Sequence, residues 1–260
     1  MQFFSYLING ISLGSVYALI ALGYTMVYGI AKMLNFAHGD VIMIGSYVVY
    51  FAFGASGLNP VLSIVLSMIV CTILGVVIER LAYRPLREAP SLAVLITAIG
   101  VSYLLQQVAQ LSWSSNPKSF TSVVSGMKPV SLFGGQLTIS AETIVTIVAC
   151  VVIMVVLMWF VNYTPAGHAM LAVSEDRGAA QLMGVNVNGT ISLTFAIGSG
   201  LAAIAGVLLC SAYPTLVPTT GAMPGIKAFT AAVFGGIGSI PGAMVGGILL
   251  GIIEIFAKAY

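Results

Sequence analysis

The sequence predicts an all-α, polytopic membrane protein, and three observations carry that reading. Hydrophobic residues make up 59% of the 260 and charged residues only 6%, against roughly 25% charged in a soluble domain. Several uncharged runs approach the ~20 residues that a helix needs to cross a bilayer. Between them lie short polar stretches that hold most of the nine basic and seven acidic side chains. A soluble fold of this size cannot bury that much apolar surface. The expectation is therefore a helical bundle of about seven to eight membrane segments, one domain over residues 1–260.

The segments follow in order. Residues 1–10, MQFFSYLING, lack the basic start of a cleavable signal, so Phe3 to Ile30 is read as the first membrane helix. A polar break, KMLNFAHGD at 32–40, leads to a second segment over Val41–Gly54. A Gly/Ser/Asn/Pro turn precedes the third, Val61–Ile78. ERLAYRPLREAP at 79–90, with three arginines and two prolines, is read as the next loop. Ser91–Leu111 is the fourth segment, and 112–139 is a long polar loop with Lys118 and Lys128. Ala141–Tyr163 and Thr190–Ala212 are the fifth and sixth, separated by the polar stretch 164–189.

The tail leaves alternatives open. Tyr213–Gly225, with three prolines, reads as a loop. Ile226–Ile237 and Ala243–Ala257 are apolar but shorter than a span. A re-entrant hairpin and two oblique short helices both fit, and irregular backbone at that depth must be covered by protein or line a cavity.

Basic residues set the expected orientation. Placing 32–40, 79–90 and 164–189 on one side collects Lys32, Arg80, Arg84, Arg87 and Arg177, leaving Lys118, Lys128 and Lys227 opposite. By the positive-inside rule the first set is cytoplasmic and the N-terminus lies outside. Small residues recur at helix-packing spacing in Gly10/Gly14, Gly198/Ala202/Gly206, Gly242/Gly246 and Gly247/Gly251, which predicts close-packed helices. HGDVIMIGS at 38–46 faintly resembles GSIPGAMVGG in the tail, a hint of two related halves. The net charge of +2 gives no argument for nucleic acid. Cys71, Cys150 and Cys210 lie in separate apolar runs and read as core residues.

Three stretches hold the residues that could carry function. In 164–189, Ser174 is placed to cap a helix, with Glu175 and Asp176 in its first turn. Ala179, Leu182 and Met183 then share one face, opposite Arg177 and Gln181, and Gly184 lets the chain turn away. Lipid interface, the chain's own bundle and a partner are all available covers for that apolar face. In the break at 32–40, Asn35, Phe36, His38, Gly39 and Asp40 either form a plain helix stop or line a pathway. Glu254 lies four residues before Lys258 within an apolar helix, where pairing, snorkelling or function would each account for it.

Other chemistry finds no support. Gly10-Ile-Ser-Leu-Gly14 matches a nucleophile-elbow pattern but sits inside an apolar helix without a base. His38 and His168 have no metal-ligand spacing. No G-x-x-x-x-G-K-[ST] occurs, so any ATP that drives this chain is hydrolysed by another subunit. No cofactor is expected. A secondary transporter remains an alternative, although its usual intramembrane carboxylates are few here.

NFAHGD (35–40), ERLAYRPLR (79–87), TPAGHAMLAVSEDRGAAQLMGVN (164–186), LTFAIGSGLAAIAGVLL (193–209) and KAFTAAVFGGIGSIPGAMVGG (227–247) together resemble the permease subunits of branched-chain amino acid ABC importers, of the LivH type. The resemblance spans almost the whole chain. It implies an inner-membrane permease working with a second, LivM-like permease, two ATPase subunits and a periplasmic substrate-binding protein; related permeases serve other small solutes such as urea or amides. It also implies a coupling helix that docks on the ATPase. Ala179-Ala180-x3-Gly184 is similar to the family's E-A-A-x3-G pattern, with Gly178 in place of the glutamate and Glu175 and Asp176 just upstream. Ile191-Ser192-Leu193-Thr194 stands where the family has I-x-L-P. One more membrane segment is expected beyond Glu254.

Overall fold

The computed structural model describes residues 2–124, 129–132 and 137–260; Lys128 lies outside them. The chain is helical almost throughout. The elements are α1 (Gln2–Ala31), α2 (His38–Val49), α3 (Pro60–Ile78), α4 (Ser91–Trp113), α5 (Ala141–Tyr163), α6 (Pro165–Glu175), α7 (Arg177–Leu182), α8 (Val187–Ala212), α9 (Ala222–Gly235) and α10 (Ile240–Ala259). Among the described residues, six helices are long and apolar enough to cross a membrane: α1, α3 with its extension to Leu86, α4, α5, α8 and α10. The fold is that of a multi-pass membrane protein. Shorter are α2, prolonged by a wider π-helical turn over Tyr50–Ala55, and α9 with 14 residues.

Burial sorts these helices into an inner and an outer set. The most apolar stretch of α1 is 89% buried and that of α8 is 78%, whereas α3, α4, α5 and α10 are buried over only 22–28%. The outer helices turn Ile73, Leu104 and Val156 outward, as a lipid-facing surface should. Because lipid tails are as apolar as leucine, helix association here rests on close packing rather than on escape from water. The small residues supply it. A Cβ on Gly14 would stand 2.6 Å from Ile248 Cα, and one on Gly251 2.3 Å from Gly14 Cα. The expected Gly10/Gly14 and Gly247/Gly251 rows thus face each other across α1 and α10. A Cβ on Gly206 would meet the Ile42 carbonyl oxygen at 2.5 Å, which brings α8 against α2.

Four boundaries depart from expectation. The second membrane helix begins at His38, not Val41, so His38, Gly39 and Asp40 belong to its first turn and Gly39 makes no turn. Its N-cap is Ala37, without a side-chain hydrogen bond. The third helix runs on through a π-helical turn, Glu79–Tyr83, and a 3-10 turn, Arg84–Leu86, so most of the expected loop is helical. Neutralisation of Glu79 by Arg87 makes this continuation tolerable. At the tail, α9 starts at Ala222, with Pro224 in the first turn where no intrahelical N–H is required. Finally, α10 is no short segment. The Ser239 hydroxyl accepts from Gly242 N at 3.2 Å and starts a 20-residue helix.

Two small ribbons complete the end that holds the N-terminus. Strand β1 (Lys118–Ser119) pairs with β4 (Thr215–Leu216), and β2 (Val130–Leu132) with β3 (Leu137–Ile139), both antiparallel. The three cysteines are buried and free, as expected of core residues.

Gly14→Leu tests the packing argument. Overpacking costs on the order of 1–3 kcal/mol or more, so the variant should melt well below the parent in detergent. Gly100→Leu, where an added Cβ meets nothing within 4 Å, should leave the midpoint almost unmoved. Equal behaviour of the two would remove close approach as the determinant.

Candidate functional site

The polar stretch after α5 folds as two short helices rather than one. Thr164 caps α6, its hydroxyl accepting from Gly167 N at 3.0 Å, with Pro165 as first helical residue. Gly167 allows α6 to lie on α5, since a Cβ there would meet the Val161 carbonyl oxygen at 2.3 Å. Met170 and Val173 are buried beneath it.

Asp176, not Ser174, then caps the second helix. It is extended (φ −149°, ψ 114°), and its carboxylate accepts from Ala179 N at 3.0 Å. Ser174 instead donates to the Leu171 carbonyl, and Glu175 is the last residue of α6 rather than part of the first turn of α7. A short carboxylate one turn before Ala179 captures that free N–H better than a hydroxyl two residues further back can. The helix ends at Gly184 (φ +85°). Val185 N donates to the Ala180 carbonyl and Gly184 N to Gln181, a Schellman closure that needs the left-handed glycine.

This geometry keeps Ala179, Leu182 and Met183 together and separates Ala180 from them. Ala180 is 3% exposed and turned into the bundle, whereas Leu182 (89%) and Met183 (85%) stand free, with Ala179 also exposed. The surface available to a partner is Ala179, Leu182 and Met183, without Ala180.

Behind this surface, one arginine ties α7 to α1 and a second ties the end of α3 to the start of α8. Arg177 donates to the carbonyl of Ala31, the last residue of α1. Arg87 donates to Asn188 at the start of α8 and pairs with Glu79 at the end of α3; Glu79 also accepts from Ser192 Oγ at 2.6 Å. Burial first, and the neighbouring Arg87 cation second, lower the Arg177 pKa from its ordinary value. The guanidinium nevertheless stays charged. Hence the loops at 32–37, 79–90 and 164–189 gather at one end of the bundle, as the basic-residue pattern predicts.

Residues 35–40 are brought together but not exposed. Asn35 Oδ1 accepts from Tyr83 Oη at 2.9 Å, and Asp40 accepts from Gln106 Nε2 at 2.9 Å. His38 is fully enclosed, its ring 4.8 Å from that of Tyr24, and neither ring nitrogen has a hydrogen-bond partner among the described residues. A Cβ on Gly23 would overlap His38 Nε2 at 2.3 Å, so that glycine makes the room for the imidazole. Phe36 packs on Phe229 of α9 at 5.2 Å. Gly39 lies against Gly221 so closely that a Cβ on Gly221 would fall 1.7 Å from the Gly39 carbonyl oxygen. The N-termini of α2 and α9, the two shortened membrane helices, therefore meet inside the bundle.

Tyr24, Tyr83, Gln106 and Phe229 are neighbours that sequence reasoning did not single out. Gln106 was the one with a signal: an amide in an apolar span must find a partner. The aromatic pairings become visible only when distant helices are juxtaposed.

Comparison with known proteins gives a consistent family. The family model described as the branched-chain amino acid transport system / permease component matches residues 6–260. The high-affinity branched-chain amino acid transport permease protein LivH of Salmonella typhimurium is 44% identical over 271 residues, covering 100% of this chain and 87% of that protein. BraD of Pseudomonas aeruginosa, with the same description, is 47% identical over 262 residues (96% and 84%). LivH of Escherichia coli K12 is 44% identical over 271 residues (100% and 87%). No solved structure matches the chain. With a full-length family match, relatives above 40% identity and spanning helices in one bundle, the chain belongs to the branched-chain amino acid transport permease family.

Proposed function

We propose that this chain is the membrane-spanning permease subunit of an ATP-driven importer of branched-chain amino acids. The names of its relatives support the substrate class. The observation that carries the coupling half of the reading is the exposed Ala179/Leu182/Met183 surface, tied by Arg177 to the end of α1. A chain without a P-loop must receive the work of ATP hydrolysis from other subunits. In this reading two ATPase subunits engage α7, a second homologous permease completes the path, and a periplasmic binding protein delivers Leu, Ile or Val. The protein resides in the bacterial inner membrane with its N-terminus in the periplasm, following the positive-inside rule.

The route of force follows the hydrogen bonds. A displacement of α7 pulls through Arg177 on the last carbonyl of α1, where the chain enters the break at 32–37. That break carries Asn35 and leads to His38, beside the meeting point of α2 and α9. Unpaired imidazole nitrogens and irregular backbone at membrane depth are tolerated where they line or open a pathway. Asn35, Phe36, His38, Gly39 and Asp40 are accordingly assigned to the substrate path or its gate. ATP-dependent leucine uptake by vesicles holding the co-purified complex tests the reading; leucine uptake driven by an ion gradient, from a preparation without ATPases, would overturn it in favour of a secondary transporter.

Ala179→Glu and Leu182→Asp place a charge on the exposed surface without entering the bundle. An unpaired charge at a docked interface costs on the order of 1–3 kcal/mol or more, so ATPase association should weaken at least about tenfold while the permease stays folded. Full co-purification of the ATPases with both variants would return α7 to a lipid-interface role. Ala180→Glu cannot serve here, because it would also disrupt the buried side of α7.

Cysteine labelling checks the orientation. A membrane-impermeant maleimide added to intact cells should miss Ser174→Cys and modify Ser122→Cys; the opposite pattern inverts the topology. Asn35→Ala and His38→Ala should each lower leucine uptake severalfold with assembly unchanged. Normal uptake by both would make the segment a plain helix break.

A further inference from the structure

At the end of the bundle away from the arginines, α10 holds a charged group that the coupling scheme does not use. Glu254 Oε1 accepts from Lys227 Nζ at 2.7 Å and from Lys258 Nζ at 2.6 Å, and Oε2 accepts from Tyr17 Oη at 2.8 Å. The residues come from α1, α9 and α10. Lys227 also donates to Tyr17 Oη at 3.5 Å. The Glu254 side chain is 14% exposed, that of Lys258 65%. The arrangement is asymmetric. Lys227 joins two helices through a sheltered carboxylate, whereas Lys258 makes an exposed i,i+4 pair, which holds a lysine only weakly. One carboxylate therefore answers two ammonium groups.

Beside this group lies a cavity of about 200 Å³, whose lining includes Tyr17, Glu254 and Lys258 together with Leu13, Leu209 and Pro224. Leu13 and Leu209 are buried side chains. Thr220 adds a hydroxyl whose oxygen accepts from Val217 N at 2.7 Å, which leaves its proton free to donate. A binding site of this kind, an apolar wall with a few convergent polar groups, is the usual form of a small-molecule pocket, and drug-sized ligands occupy roughly 300–1,000 Å³. This cavity is smaller and suits one small molecule.

We propose that this cavity binds a single aliphatic amino acid as its zwitterion, an inference that rests on the importer reading above. The α-carboxylate takes Lys258, with Thr220 as a second donor. The α-ammonium takes the place on Glu254 that Lys258 gives up, and the aliphatic side chain lies on Leu13, Leu209 and Pro224. Lys227 and Tyr17 hold Glu254 in position throughout. The exchange leaves two carboxylates facing three ammonium groups in place of one facing two; the net excess of one positive charge is unchanged, but Lys258 no longer shares its carboxylate with Lys227. A ligand lacking the carboxylate forfeits the contacts with Lys258 and Thr220, and one lacking the ammonium forfeits the contact with Glu254, so both charged groups contribute to discrimination.

The test uses the complete permease–ATPase complex, purified without its binding protein. Radiolabelled leucine should bind, with competition from isoleucine and valine but not from 4-methylpentanoate, which lacks the amino group, or 3-methylbutylamine, which lacks the carboxylate. Lys258→Met should weaken leucine binding at least fivefold and Lys258→Arg should restore most of it. Tyr17→Phe, which preserves the ring, should weaken binding about as much. A purely structural cluster would show the reverse: lower melting midpoints with leucine binding unchanged. Absence of leucine binding by the parent complex, equal binding by Lys258→Met, or competition by either analogue overturns the site. ATP-driven leucine uptake by the same complex with its binding protein is measured in parallel. Normal uptake with a negative binding result removes this site alone, whereas no uptake of any branched-chain amino acid removes the importer reading itself.

Discussion

With no side chains on Gly14 and Gly251, α1 and α10 approach until the backbone of one occupies the space a methyl group would need on the other. In lipid this close approach replaces the hydrophobic effect as the source of helix association. The inner position of α1 depends on it, and so does that of α8, which meets α2 through Gly206. Once those two helices are enclosed, the outer ones are free to be apolar on every side. Their sequences show little helical periodicity for that reason, since lipid and protein interior select the same side chains.

Polar groups within such a bundle survive only by pairing, and each pair also fixes a helix end. Glu79 is fully buried and satisfied by Arg87 and Ser192, which locks the prolonged α3 to the start of α8. Glu254 does the same between α1, α9 and α10. Asp40 is held by Gln106 of α4. His38 is an exception, as are the hydroxyls of Thr25 and Tyr47, but it alone leaves two ring nitrogens enclosed and unpaired among the described residues. Its place at the junction of two shortened helices is where a transporter would tolerate that cost.

The surface helix α7 follows the same logic outside the membrane. Six residues cannot form a stable helix alone. Asp176 at one end, Gly184 at the other and Ala180 against the bundle hold it in place. What remains exposed is a small pad of Ala179, Leu182 and Met183, anchored by Arg177 to the end of the most buried membrane helix.

Composition and spacing determined the membrane class, most of the long helices, the packing rows of small residues and the shared end of the basic loops. These are properties of local chemistry: an apolar run of sufficient length has few alternatives in lipid. The tail was ambiguous because Ser239 and Pro241 extend α10 backward through residues that read as a turn. Likewise, Glu79 to Leu86 have the composition of a loop, and only tertiary structure pairs Glu79 with the Arg87 cation and the Ser192 hydroxyl. The role of Asp176 as cap and the inward turn of Ala180 depended on where α6 stops, which α5 decides through its contact with Gly167. The charged cavity was divided among Tyr17, Lys227, Glu254 and Lys258, up to 241 positions apart. Only tertiary structure brings such residues together, because in a chain of near-uniform hydrophobicity the choice of helix neighbour rests on steric fit between surfaces rather than on any signal along the sequence.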